Sequence, residues 1–266
     1  MVGVVFGLKG HRVLITASSR GIGLGVARVL VSEGAKVVIN GRSRERLERA
    51  VDELRRIGAG EVYGVVADIT VREEAERLVD EAAQLLGGLD SLVYVTGPPR
   101  PGLFEELGLE DWDYATRLLI MSAIWVTRKV IPLLKKSSNP SIVYLTSVAV
   151  KEPIEGLALS NTLRVAIQGL AKTLSRELAG YGIRVNTVLP GYVMTERVRE
   201  VIADRARREA RRPEEVMEEV KASIPLGRLA EPEEIGYLVA FLISRYASYI
   251  TGAAIPIDGG LLHSTL

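Results

Sequence analysis

Cysteine is absent from this 266-residue chain, which excludes a disulfide scaffold, a thiolate metal site and a cysteine nucleophile. Histidine is almost absent. With only His11 and His263, a multi-histidine metal centre is not expected. No charge of one sign dominates, because 34 Lys plus Arg face 33 Asp plus Glu for a net +1. No global field therefore recruits nucleic acid or an anionic membrane surface. Long hydrophobic runs are missing too: the longest near-continuous stretch, 118–126, falls far short of the ~20 residues of a membrane helix. The first residues are apolar but lack a basic leader, and Lys9 and Arg12 interrupt them, so they do not read as a signal peptide. A soluble, cytoplasmic protein is the expectation. Amides are scarce, with four Asn and two Gln beside 26 Arg. That balance fits a hot-living source, and a GC-rich genome would raise arginine equally well.

What is present is ordinary globular composition, 47% hydrophobic and 25% charged, at a length that suits one α/β domain. Short β-branched runs at 12–16, 36–40, 61–66, 91–96, 141–146 and 183–188 read as strands that are apolar on both faces, as in a parallel sheet covered by helices. Between them, 44–57, 71–86 and 111–136 carry helical spacing with charges at i, i+4. Strand–helix alternation predicts a Rossmann-type doubly wound parallel sheet with helices on both faces. No repeat or linker divides the chain, so a single domain over 1–266 is expected. Residues 196–222 break the rhythm: from Glu196 to Lys221 there are eight basic and eight acidic residues. Two readings stand for this segment, a solvated helix laced with ion pairs and a helical lid over a site at the carboxyl ends of the strands.

The first strand runs into Thr16-Ala-Ser-Ser-Arg-Gly-Ile-Gly23 and then into a helix. A glycine-rich strand-to-helix turn aims backbone N–H groups and a helix N-terminus at a pyrophosphate. The second strand ends in Asn40-Gly41-Arg42. A free ribose 2′-hydroxyl asks for an acid there; Arg42, with Arg20 in the turn, suits a 2′-phosphate instead. The phosphorylated dinucleotide, NADP, is the expected cofactor, with NAD second.

These segments resemble the short-chain dehydrogenases/reductases, most closely the β-ketoacyl carrier-protein reductase-like branch, over about residues 10–262. The family's Thr-Gly-x-x-x-Gly-x-Gly turn is present with Ala17 in place of its first glycine. Ala67-Asp-Ile-Thr70 puts Asp68 and Ile69 where the family contacts adenine. Ser141 to Ala149 matches the strand that delivers the catalytic serine, here Ser147. Asn186 to Thr195 matches the stretch that closes over the nicotinamide, here Pro190, Gly191, Val193 and Thr195. The segment ending in Asp258-Gly-Gly260 matches the family's last helix and strand, making about seven strands. The resemblance implies cofactor contacts from Thr16, Ser19, Arg20, Ile22, Gly23 and Gly97 as well. It also implies a small carbonyl or alcohol substrate and a homotetramer or homodimer.

The catalytic tetrad departs from the family. Its Tyr-x-x-x-Lys falls on Ser160 to Arg164, and no tyrosine lies between Ser147 and Gly180. The helix asparagine falls on Leu119, and the segment after the fourth strand is Tyr94-Val-Thr-Gly97. In the resembled mechanism a tyrosine donates the proton as hydride arrives, and the lysine lowers its pKa. A serine hydroxyl is shorter and a far weaker acid, and an arginine does not exchange protons. Losing a positioned acid typically costs ~10²–10⁴ in rate. Two readings stand. One is an oxidoreductase in which Ser147 polarises the carbonyl and Lys151, Glu155 or Tyr192 supplies the proton, with Ser160 and Arg164 in altered roles. The other is a non-catalytic dinucleotide-binding relative acting as a partner or regulatory subunit. Leu157, Tyr192 and Met194 belong to the substrate loops, and Pro98 to Pro101 should border the pocket. Tyr94, Trp112, Trp125 and Tyr144 read as core or interface aromatics. His263 receives no role.

Overall fold

In a computed structural model that describes residues 6–265, seven strands form one sheet in the order β3-β2-β1-β4-β5-β6-β7. They are β1 (Arg12–Ile15), β2 (Lys36–Gly41), β3 (Val62–Val66), β4 (Ser91–Tyr94), β5 (Ser141–Leu145), β6 (Arg184–Pro190) and β7 (Ala254–Ile257). Every neighbouring pair is parallel. The order reverses between β1 and β4, and a parallel sheet opens a crevice at the carboxyl ends of its strands at such a point.

The helices are α1 (Gly21–Ser32), α2 (Arg44–Arg55), α3 (Arg72–Leu86), α4 (Leu109–Thr116), α5 (Ser122–Leu134), α6 (Ala158–Glu177), α7 (Glu196–Arg208), α8 (Pro213–Ser223) and α9 (Pro232–Ile243). Alternate side chains of each strand feed opposite cores. Val13 and Ile15 pack with α1, α2 and α9. Leu14, between them, packs with α3, α5 and α6. That is why the strands read as apolar on both faces. Helices α1 and α9 cross closely. A Cβ on Gly25 would sit 2.6 Å from the Pro232 carbonyl carbon, and one on Gly236 would sit 2.7 Å from Val29.

The charged segment differs from a single helix. It folds as α7 and α8, because Ala210 turns left-handed at φ 50° and Pro213 begins a new helix. Ion pairs tie the two together: Glu219 engages both Arg205 and Arg211, and Arg211 also reaches Glu209 at 2.8 Å. The stretch expected as one helix over 111–136 is interrupted by a π-helical turn, Arg117–Met121, between α4 and α5. No helix among the described residues is long and apolar enough to cross a membrane.

Candidate active site

The turn after β1 is held open from below by three strands. Asn40, buried at the end of β2, accepts from the Ala17 amide at 3.1 Å and donates to the carbonyls of Val65 and Ala67, both at 3.1 Å. Ser18 donates to Ile15 and accepts from the Asn40 amide. Ala17 is forced to φ 43°, a left-handed conformation that costs a non-glycine residue ~1–2 kcal/mol. At Gly23 a Cβ would lie 2.7 Å from Ser18 Cα, so the helix starts against the turn only because a glycine stands there. Arg20, the N-cap of α1, makes no side-chain cap bond. The first-turn N–H groups are left to an incoming anion.

These groups line a cleft of about 540 Å³ at the switch point. Ser19, Arg20, Ile22, Gly23, Arg42, Asp68, Ile69, Gly97, Gly191, Val193 and Thr195 all border it. Thr16 does not. It is fully buried, and its hydroxyl donates to Val95 O at 2.6 Å and accepts from Val95 N at 2.8 Å, so it ties β1 to the chain after β4. Pro190 borders the adjoining pocket instead. Thr96 also borders the cleft, and its buried hydroxyl has no protein partner.

At the far end of the cleft stand three guanidiniums, Arg20, Arg42 and Arg46. Arg42 lies 3.6 Å from Asp68 and donates to the Tyr114 hydroxyl at 3.3 Å. Arg20 pairs with Glu196 at 2.9 Å, linking the phosphate turn to α7. Asp68 accepts from the Thr70 amide and hydroxyl, which fixes its carboxylate. The donors, the free helix N-terminus and the shape of the turn fit a phosphorylated dinucleotide.

At the near end, Ser147 caps a short helical turn by accepting from the Ala149 amide at 3.1 Å. One helical turn apart on α6, Arg164 donates from Nε to the Ser160 hydroxyl at 2.9 Å and from Nη1 to Thr146 O at 3.4 Å. Burial pulls its guanidinium down to about 10, against the opposing influence of Tyr94. Beneath it, Tyr94 hydrogen-bonds Ser122 at 2.5 Å, and Ser122 donates to Leu118 O at 2.6 Å. The carbonyl belongs to the π-helical turn itself, and Leu119, at the family's asparagine position, is buried apolar packing. Tyr94 is buried and borders neither the cleft nor the adjoining pocket, so it is no acid for the site; burial also raises its phenol.

A second pocket of about 180 Å³ joins the cleft at Arg164 and Gly191. Ser147, Ser160, Ile154, Leu157, Tyr192 and Leu261 border it, with Val198 and Val201 of α7 closing one side and Pro98, Pro99 and Arg100 the other. Of the three expected proton sources, only Tyr192 borders this pocket. Lys151, half-buried, and Glu155, exposed, do not. Met194 packs against Val220 and Leu229 instead. Tyr94 and Tyr144 are core, edge to face at 5.7 Å; Trp112 and Trp125 pack partly buried. Asn40, Arg46, Tyr114 and Arg197 escaped the sequence reading. Only Arg46, four residues after Arg42 on the first turn of α2, carried a signal in its spacing.

A seven-stranded parallel sheet with a glycine-turn cleft at its switch point and a serine-bordered pocket beside it defines the dinucleotide-fold oxidoreductases. The family model described as enoyl-(acyl carrier protein) reductase matches residues 16–262. The chain is 34% identical over 255 residues to the 3-oxoacyl-(acyl-carrier-protein) reductase FabG of Thermotoga maritima, covering 96% of this chain and 99% of that one. It is 36% identical over 250 residues to dehydrogenase/reductase SDR family member 4 of Bos taurus, covering 94% and 86%. The L-sorbose reductase of Gluconobacter frateurii, solved with NADPH and L-sorbose, superposes with a TM-score of 0.92 at 28% identity, covering 97% and 99%. The chain belongs to the short-chain dehydrogenase/reductase family.

Proposed function

We propose that this protein is an NADP(H)-dependent oxidoreductase that interconverts a small carbonyl compound and its alcohol. The observation that carries the reading is the cleft with Arg20, Arg42 and Arg46 at one end, no acid at the end of β2, and a serine-bordered pocket at the other. The sorbose reductase, solved with NADPH, supports it by likeness. A bound nicotinamide supplies the hydride. Thr16 and Asn40 set the turn, and Ser19, Ile22, Gly23, Ile69, Gly97, Val193 and Thr195 border the cofactor. Pro190 and Gly191 separate it from the substrate pocket.

Ser147 and Ser160 each accept a hydrogen bond from the protein, which leaves each O–H free to hydrogen-bond a ligand oxygen in the pocket, with Ser147 polarising the carbonyl. Tyr192 is the titratable hydroxyl bordering it, and burial raises its pKa. It is the proton donor in this scheme, and turnover is slow because that acid is weak at neutral pH. Helices α7 and α8 act as the lid, and the Arg20–Glu196 pair links its closure to the cofactor turn. The protein works as a homo-oligomer in the cytoplasm; a 28.9 kDa particle in light scattering would overturn the assembly.

Titration with NADPH and NADH tests the cofactor. NADPH should bind more tightly, and Arg42→Ala should weaken NADPH by about 1.5–3 kcal/mol while leaving NADH unchanged. Equal binding of the two would refute the preference. No binding of either would leave a non-catalytic relative. Unchanged turnover in Ser147→Ala would remove Ser147 from the mechanism.

A further inference from the structure

The smaller pocket has an uneven charge. Arg100, Arg164 and Arg197 border it, and no Asp, Glu or His does. Arg100 and Arg197 have acid partners, Asp111 at 2.7 Å and Glu200 at 3.3 Å, neither of which borders the pocket. Arg164 has none within 4 Å among the described residues. Its hydrogen bonds leave from Nε and Nη1, so the Nη2 edge is free, and the residue borders both the cleft and the pocket. A partly buried guanidinium without a counter-charge is costly. Its planar fork matches a carboxylate in two parallel bonds. The other walls are apolar, from Ile154, Leu157, Val198 and Val201, so a charged head and a short hydrocarbon body both find a place.

We propose that this pocket takes a short carboxylate-bearing compound, its carboxylate held by the free edge of Arg164 and the Ser160 hydroxyl, with Ser147 left for a neighbouring carbonyl or hydroxyl oxygen. The inference names the substrate class of the oxidoreductase reading and rests on that reading for what happens to the compound, not for its binding. Arg197, whose Nη2 donates to Pro99 O at 3.4 Å across the mouth, adds positive charge where the compound enters.

Calorimetric titration of butanoate and of butanamide, into the free protein and into protein saturated with NADP⁺, tests it. Butanoate should bind in both states and at least about tenfold more tightly than the amide. Arg164→Gln should erase that preference. Arg164→Lys, which keeps the charge but not the fork, should retain part of it and controls for misfolding. Equal binding of the two probes, binding of neither, or loss of butanoate binding on NADP⁺ saturation would each overturn the proposal, the last by assigning Arg164 to the cofactor alone. If NADP⁺ itself fails to bind while butanoate still prefers Arg164, the oxidoreductase reading falls and the carboxylate site stands. NADP⁺ binding without a carboxylate preference has the opposite meaning.

Discussion

The two ends of the sheet treat polar groups in opposite ways. At the amino-terminal ends of β1, β4, β5 and β6, the polar side chains that meet find partners. Arg12 binds Asp90 through Nε, Nη2 and its own amide at 2.8–2.9 Å, and Ser137 adds a fourth bond. Ser91 bridges His11 and Ser141 at 2.8 and 2.7 Å. Arg184, buried and without a carboxylate, donates to the carbonyls of Leu242, Ser244 and Ala247 and to Asn139 Oδ1. Leu242 O, in the last turn of α9, has no other donor, and the dipole there is negative, so the guanidinium serves as a cap. At the carboxyl-terminal ends Thr16, Ser18 and Asn40 are bonded into the turn, but the groups facing the cleft stay short of partners: Arg164 has an open edge, Thr96 an unpartnered hydroxyl, Arg20 and Arg42 exposed ion pairs. Burial lowers the pKa of both Arg164 and Arg184. Partner number separates the arginine that holds the fold from the one left for a ligand.

The sharpest way to break that contrast is to remove both arginines separately. Arg184→Met removes a donor from four oxygens and leaves two of them, Leu242 O and Asn139 Oδ1, with no other, and each buried unpaired group costs about 1–3 kcal/mol. A loss of at least about 2 kcal/mol in urea unfolding is expected. Arg164→Met removes a poorly compensated charge and should change stability by less than about 1 kcal/mol. Similar losses for the two variants would show that the open edge of Arg164 is not a real difference between them.

Acid should find the amino-terminal end first. Burial pushes the Asp90 carboxyl up, but the Arg12 guanidinium, Ser137 and the Arg12 amide outweigh this and hold it at about 2. A depressed carboxyl adds stability that is complete above its ordinary value of 3.8 and is lost as pH falls from there towards 2. His11 adds an earlier, smaller loss. Burial lowers its pKa beneath 6.5, with Arg184 and Arg12 also pushing it down against Asp90, so its neutral form favours the fold and stability begins to decline below that pH. Asp90→Asn should cost roughly 1–2 kcal/mol at neutral pH, allowing for solvent screening, and should flatten the drop between pH 4 and 2. An unchanged acid profile would remove Asp90 as the group responsible.

The same contrast explains what could be read from the sequence. The strands were legible because a parallel sheet buries both faces, and β-branched runs record that directly. The glycine turn and Arg42 were legible because a strand-to-helix turn and a strand end fix their positions, whereas Ser147 was legible only through the family resemblance. Tyr114 and Arg197 were not, since α4 and α7 fold over the cleft from distant segments and no local spacing places them there. Thr16 looked like a cofactor residue because it sits in the motif, yet its hydroxyl is consumed by the backbone of Val95. Lys151 and Glu155 lay near the serine in sequence, but a loop sets side-chain direction only through its tertiary contacts. The break in 196–222 carried a signal in Pro213, masked by the continuous charge pattern on either side.

The smallest expected effect concerns strain at the carboxyl-terminal end. Ala17 occupies φ 43°, where an L-residue bears ~1–2 kcal/mol, because the Asn40 side-chain oxygen and the Ser18 hydroxyl fix the turn. Glycine removes that cost but gains more freedom in the unfolded chain, offsetting roughly 0.5–1 kcal/mol. Ala17→Gly should therefore stabilise the protein by only about 0.5 kcal/mol, a rise of about a degree or two in Tm for a chain of this size. Glycine would also relax the arrangement of N–H groups at the start of α1, so the gain in stability should come with equal or weaker NADPH binding. A more stable variant that also binds NADPH more tightly would show that the alanine merely strains the turn. A less stable one would show that Asn40 and Ser18 already make the left-handed residue comfortable, and the contrast between a satisfied and a strained end of the sheet would then rest on Arg164 and Thr96 alone.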